Sequence, residues 1–200
     1  MIQEKTSTKI IELKTADLCL RDQLLKAGLL QDGYHPKMEK LHLKNARALD
    51  AIIQKMGYPT IDKVGKAASE AAWLVIQHVI SNPSFMKKFQ QLLQKAVEQG
   101  KANPRDLAYL SDRIATFENR PQLHGAAFDW DQKGQLSPKR YDNLQKVNQR
   151  RKALGLIPLE DQVKKMQKQA KKEGLQPPKD FKNREKALRI WQKKVGWISS

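Results

Sequence analysis

Twice in the middle of the chain an Asn-Pro pair heads a run of apolar residues spaced three and four apart. Asn82-Pro83 precedes Phe85, Phe89, Leu92, Leu93 and Val97, and Asn103-Pro104 precedes Leu107, Leu110, Ile114 and Phe117. An asparagine side chain accepts from the free amides of a helix start, and proline is tolerated in the first turn, where no amide is needed. Each pair therefore opens an amphipathic helix, and Gly100 closes the first of them.

The same spacing recurs along most of the chain. Ile10, Ile11, Leu13, Leu18, Leu20, Leu24 and Leu25 predict a first helix ended by Gly28 or Gly33, with a turn at residues 32–36. Met38, Leu41, Ala48, Ile52 and Ile53 predict a second, stopped at Gly57-Tyr58-Pro59-Thr60. A third spans residues 61–80 with Thr60 as its N-cap. Its alanines (Ala67, Ala68, Ala71, Ala72) permit close approach, and Trp73-Leu74-Val75-Ile76 is apolar almost all round, as a central helix must be.

Residues 119–138 break the pattern with Pro121, Gly125, Gly134 and Pro138 around Phe128 and Trp130. A loop or short hairpin of this length inside a compact domain points to function. Beyond it, helices are expected over 140–154 and 159–172, then a stiff linker at Gln176-Pro177-Pro178-Lys179 and a last amphipathic segment with Phe181, Ala187, Leu188, Trp191 and Val195. With 200 residues and 40% hydrophobic content, one proper core is available. The expectation is an all-α, compact multi-helix domain over residues 1–174, with one irregular loop or short β-hairpin, and a basic amphipathic helical tail over 175–200.

Charge is unevenly distributed. Residues 1–130 hold 19 Lys and Arg against 14 Asp and Glu, whereas residues 131–200 hold 19 against 7. This surplus suits phosphates, an acidic protein or an anionic surface, and Coulomb attraction alone does not choose among them. Lys164, Lys165, Lys168, Lys171 and Lys172 recur at helical intervals and stripe one side of a helix, the pattern of sequence-independent nucleic-acid binding or of a plain solvated face. Trp191 and Trp197 either stack on bases or anchor the tail to the core.

Cys19 is the only cysteine, so internal disulfides and cysteine-based metal sites are excluded. No stretch reaches the roughly 20 apolar residues of a membrane span. The first residues, Met1 to Thr6, lack the charged start and apolar run of a signal peptide. A cytoplasmic setting is expected, with secretion that uses no cleaved signal left open.

The chemistry-bearing candidates fall in three segments: Trp73-Leu-Val-Ile-Gln77-His78, Ala108-Tyr109-Leu110-Ser-Asp112-Arg113, and Gln122-Leu-His124-Gly125. Polar groups set beside apolar helices must find partners or do work. His78 is the candidate general base or acid, with Asp112 as its orienting carboxylate and Arg113 as an anion clamp. Gln77, Tyr109, Gln122 and His124 are the ligand-binding candidates. The plain alternatives are a core histidine satisfied by a carbonyl and a structural ion pair of Arg113 with Glu118 or Asp129. Adjacent helix positions point about 100° apart, so only one of Asp112 and Arg113 is expected to face a site.

A zinc site of His78 and His124 would need a third ligand such as Asp112 or Asp129, and no tight His-x-x-x-His spacing exists, so no metal is assigned. His35 and His42 are expected at the surface or in caps. Phosphate-loop and nucleophile-elbow signatures are absent. A small or phosphate-bearing ligand, handled by a hydrolase or transferase, is one expectation; a nucleic-acid-binding or protein-interaction module built on the C-terminal third is the other. No cofactor is specified.

In this order, Gly57-Tyr58-Pro59, Trp73 to His78, Ala108 to Arg113, Gln122 to Ala127 and Arg150-Arg151 through Gly155-Leu156 to Pro158-Leu159 resemble an uncharacterised bacterial family of domain-of-unknown-function type. Its pattern has a Gly-Trp-Pro-like turn, Trp-Leu-x-x-Gln-His and Ala-Tyr-Leu-x-Asp-Arg helices, a Gln-x-Tyr-Gly-Thr-Gln turn and an Arg-Arg-x-x-x-Gly-Leu-x-Pro-Leu close. The resemblance covers about Leu41 to Val163 and implies a shared fold and site, with no established reaction. Ala126-Ala127 stand where the family has Thr-Gln. If those side chains position a ligand in relatives, the resemblance implies an altered or lost activity here.

Overall fold

The structure, a computed structural model, describes residues 2–30 and 33–199. Nine helices and one two-stranded antiparallel sheet make up the regular structure of the described residues. The protein is mostly α-helical, as the apolar spacing requires. It divides into two compact units, residues 1–106 and 107–200.

The first unit contains α1 (Ile2–Lys26), α2 (Pro36–Met56), α3 (Ile61–Val64), α4 (Lys66–His78) and α5 (Pro83–Glu98). Of the turn expected at 32–36, Asp32 lies outside the described residues. His35 caps α2, its ring accepting the Lys37 N–H at 3.2 Å, with Pro36 in the first turn. Asn82 does the same for α5, accepting the Phe85 N–H at 3.1 Å.

The helix expected over 61–80 is in fact two. Gly65, at φ 78°, separates α3 from α4, and Thr60 makes no side-chain cap bond to α3. A positive φ is cheap only for glycine, so one such residue stops a helix that side-chain spacing would continue. Ala68, Ala71 and Ala72 are buried to within 1% and let α1 lie closely along α4. Ile10, Leu49, Ile76, Met86, Phe89 and Leu93 fill this core.

The second unit holds most of α6 (Pro104–Phe117), then β1 (Phe128–Trp130), β2 (Leu136–Pro138), α7 (Leu144–Ala153), α8 (Leu159–Lys172) and α9 (Phe181–Val195). The irregular segment contains the short hairpin: Phe128 lies opposite Pro138 and Trp130 opposite Leu136. Asp131 builds its turn by accepting the Lys133 and Gln135 N–H groups, each at 2.9 Å. The helix expected from residue 140 starts at Leu144, where Asn143 caps the Lys146 N–H.

α8 packs on β2, with Gln167 Nε2 donating to the Leu136 carbonyl at 3.1 Å. The last helix docks on α6. Trp197, 4% exposed, stacks on Phe117 with ring centres 5.2 Å apart, Trp191 meets the same ring at 5.6 Å, and Gln192 Nε2 donates to the Phe117 carbonyl at 2.8 Å. No helix among the described residues is long and apolar enough to cross a membrane.

Candidate functional site

In the second unit, Gln122 is bridged to Tyr141 and Ala127 accepts the Lys139 N–H, but the chain between them runs without regular pairing, so side chains must satisfy its backbone. Asp112, 1% exposed on α6, does most of this. Its Oδ1 accepts the Leu123 N–H at 2.8 Å, its Oδ2 accepts the Ala126 N–H at 2.9 Å, and the His124 N–H is shared between them at 3.2 and 3.1 Å.

Gln122 is wholly buried. Its Nε2 donates to the Ala127 and Lys139 carbonyls at 3.0 and 2.9 Å, and its Oε1 accepts the Ala127 N–H at 2.6 Å. Arg151 closes the frame from α7, donating from Nη1 to the His124 carbonyl at 2.8 Å and from Nε to the Ile157 carbonyl at 2.6 Å. Gly125 sits at φ 63° in the middle, where a Cβ would meet the Leu159 methyls at 2.8 and 2.9 Å.

This frame borders a cavity of about 560 Å³. Arg113, Lys139, Arg151 and Arg184 give it four cations against one carboxylate, Asp129. Lys139 Nζ lies 3.1 Å and Arg184 Nη2 2.9 Å from Asp129, and although burial pushes that carboxyl up, the two cations hold it below the usual range. Burial pushes the Arg151 guanidinium down, against the pull of Tyr109 and Asp112.

Arg113 differs from the other three. It is closely surrounded by protein, so that burial alone pushes its pKa down, and among the described residues no hydrogen bond or ion pair engages its guanidinium. The structural ion pair with Glu118 or Asp129, the plain alternative to an anion clamp, is not formed among the described residues: Glu118 is engaged by Arg120, and Asp129 by Lys139 and Arg184. Phe117, Phe128, Met166 and Leu188 supply an apolar side to the cavity, and Tyr109 is also in its wall.

In the first unit a second cluster gathers around a carboxylate. Asp17, fully buried on α1, places Oδ2 2.9 Å from His78 Nδ1 at the end of α4 and 3.0 Å from His42 Nε2 on α2. Burial pushes this carboxyl up, but the two rings beside it outweigh that and hold it at about 2. Tyr34 Oη lies 2.5 Å from His42 Nδ1 and donates to the His78 carbonyl at 3.3 Å. The His42 and His78 ring centres are 5.4 Å apart.

A family model described as a family of unknown function (DUF6624) matches residues 5–173. The chain belongs to DUF6624. No curated protein and no solved structure matches it.

In this DUF6624 protein the expected site residues separate by partner. Asp112, Gln122 and His124 meet in one loop, and Arg113 and Tyr109 face the cavity beside it. The orienting carboxylate proposed for His78 was Asp112, but the carboxylate on the His78 ring is Asp17, because Asp112 is taken up by three backbone amides. The Gln122 amide, expected to read a ligand, is committed to three backbone groups. His124 Nδ1 is buried, 3.5 Å from Asp112 Oδ1. Gln77 is buried on α4. His42, expected at the surface or in a cap, is only 5% exposed.

Lys164, Lys165, Lys168, Lys171 and Lys172 are all exposed, and Lys164 pairs with Asp161 at 3.2 Å. Trp191 and Trp197 anchor α9 on Phe117. Asp17 was missed altogether, although it falls in register with Ile10, Leu13 and Leu24 on the buried face of α1. A carboxylate on an apolar stripe at helical spacing was the available signal.

Proposed function

We propose that the cavity of the second unit binds a small ligand carrying a phosphate or carboxylate group and an apolar body. One observation carries this reading: Arg113, a closely surrounded, part-buried guanidinium with no partner among the described residues, borders a cavity already rich in cations. Burying a charge without a counter-charge is costly, and a guanidinium fork matches the oxygen pairs of phosphate and carboxylate. The cavity volume falls in the range of small-molecule sites, which combine apolar walls with a few placed polar groups. Arg113 is the anchor, Arg151 and Lys139 add positive potential, and Phe117, Phe128 and Met166 take the ligand body. The side chains that Ala126 and Ala127 bring to this wall are methyl groups.

The test is a calorimetric titration with phenyl phosphate, benzoate and inorganic phosphate, on the wild type and on Arg113→Met. A charge-assisted bidentate contact contributes about 1.5–3 kcal/mol. Saturable binding of at least one aryl anion, weakened roughly 10- to 100-fold by Arg113→Met and untouched by Lys168→Gln/Lys172→Gln, supports the reading. Equal binding by wild type and Arg113→Met removes it.

A second reading follows from α8. Lys165, Lys168, Lys171 and Lys172 are exposed and, among the described residues, have no carboxylate partner. They suit phosphate contacts on a nucleic acid, without help from Trp191 and Trp197, which are docked on Phe117. Replacing the four lysines by glutamine should weaken binding to a random DNA duplex and flatten its salt dependence. An unchanged slope rules this reading out.

A further inference from the structure

We infer that Asp17, His42 and His78 form a binding site for a divalent metal ion of the zinc class. One ligand atom from each residue lies within 4.8 Å of the other two. Asp17 Oδ2 is 2.9 Å from His78 Nδ1 and 3.0 Å from His42 Nε2. A tetrahedral ion at roughly 2.0–2.1 Å from each ligand spaces those ligands about 3.3 Å apart, so both Asp17–histidine separations already stand near the required value, and the two histidine ligand atoms lie within 4.8 Å of each other. Two imidazoles and one carboxylate, with a position left over, form the donor set of open zinc sites.

Hydrogen bonding supplies an independent argument. His42 Nε2 and Asp17 Oδ1 are both buried, in residues 5% and 0% exposed, and among the described residues neither has a hydrogen-bond partner. Although Oδ2 lies 3.0 Å from His42 Nε2, the direction is wrong for an N–H bond between them.

Tyr34 accounts for the orphaned nitrogen. Its hydroxyl is placed to donate to the His78 carbonyl at 3.3 Å, and with its proton so used its oxygen is the acceptor for a proton on His42 Nδ1, 2.5 Å away. In that tautomer neutral His42 presents Nε2 as a bare lone pair beside a carboxylate, with the lone pair aimed to the side of Oδ2 where a shared ion would sit. Two acceptors side by side in a buried place are stable only with a cation between them. Fixing one ring nitrogen by a hydrogen bond, so that the other points at the ion, is the usual arrangement around metal-bound histidine. His78, whose side chain is 27% exposed, gives the site a route to solvent, and the fourth position is open to water or another small ligand.

The decisive experiment uses the full chain after dialysis against a chelator. Co²⁺ is titrated while the visible spectrum is recorded, and Zn²⁺ by calorimetry, on the wild type, His78→Ala and His35→Ala. His78 is partly exposed, which makes its truncation the variant that best keeps the fold, and His35 is the part-exposed histidine that caps α2 outside the trio.

The expected result is one ion per chain, the intense visible bands of tetrahedral Co²⁺, and at least about a hundredfold weaker binding in His78→Ala with His35→Ala unchanged. A second measurement guards against misfolding: Zn²⁺ should raise the melting temperature of the wild type and leave that of His78→Gln unmoved. The pale spectrum of hydrated Co²⁺, or equal affinity in wild type and His78→Ala, would overturn the proposal. The trio would then be held together by shared protons alone.

Discussion

Asparagine at position 112 would keep the shape of the buried side chain and remove its charge. In the wild type the carboxylate accepts N–H groups from Leu123, His124 and Ala126, with both oxygens in use. An asparagine offers one oxygen and one NH₂, so at least one backbone N–H must face another donor. Each hydrogen bond to a buried charged group contributes about 1.5–3 kcal/mol, and an orphaned buried donor costs about 1–3 kcal/mol. One lost bond together with the weakening of the others puts Asp112→Asn at about 3 kcal/mol. For a chain of this length that lowers the melting temperature by roughly 6–12 °C, if unfolding is cooperative. Calorimetry measures the loss, and hydrogen exchange localises it: the amides of residues 123, 124 and 126 should exchange much faster than those of α5. A variant melting within 2 °C of wild type, with those amides still protected, would refute the claim that Asp112 builds the loop.

Three further outcomes are expected. Burial, and then repulsion from Glu70, raises the Asp106 carboxyl from 3.8 to about 6. An acid whose folded pKa is raised contributes its stability in full below the unfolded value and loses it as pH climbs through about 6. Asp106→Asn should therefore be near neutral at pH 3.5 and stabilising by about 2–3 kcal/mol at pH 8, read from urea unfolding at both pH values. Gly125→Ala combines a positive φ with a Cβ 2.8 Å from a Leu159 methyl and should destabilise by about 2–4 kcal/mol, whereas Gly28→Ala, at similar φ but in open space, should cost only the φ strain of about 1–2 kcal/mol. Trp197→Ala should cost about 3–5 kcal/mol in chemical unfolding, since the ring is buried against Phe117; a cost below 1 kcal/mol would mean that α9 is not held there.

Local chemistry was readable in the sequence wherever one residue decides a structure. Asn82-Pro83 and Asn103-Pro104 marked helix starts because cap and proline act within a turn, and Pro121, Gly125, Gly134 and Pro138 around Phe128 and Trp130 marked a loop or short hairpin without deciding between them. Gly65 was not legible as a break, since a glycine flanked by helix-spaced apolar residues is compatible with a continuous helix until its φ is known. The site was harder, because its partners lie far apart in the chain: Asp17 and His78 are 61 residues apart. Spacing proposed Asp112 for His78, and nothing local could show that the amides of 123, 124 and 126 already claimed that carboxylate. Arg113 was singled out as an anion clamp from its residue type, but only the structure could reveal that none of the described residues pairs with it.

The loop from 122 to 127 has its main-chain groups bonded from three sides, by Asp112, Gln122 and Arg151. Among the described residues only the Gly125 N–H and the Gly125 and Ala126 carbonyls of that stretch are left without a bond, so a guest in the cavity is discriminated by side chains together with at most these few main-chain groups. Positions 126 and 127 contribute to the wall through methyl groups while their amides are tied back into the protein. New side chains there could alter the shape and polarity of the chamber without disturbing the bonds that hold it open. Frame and lining are thus separable, and one scaffold of this kind can be retuned for different guests by point substitution.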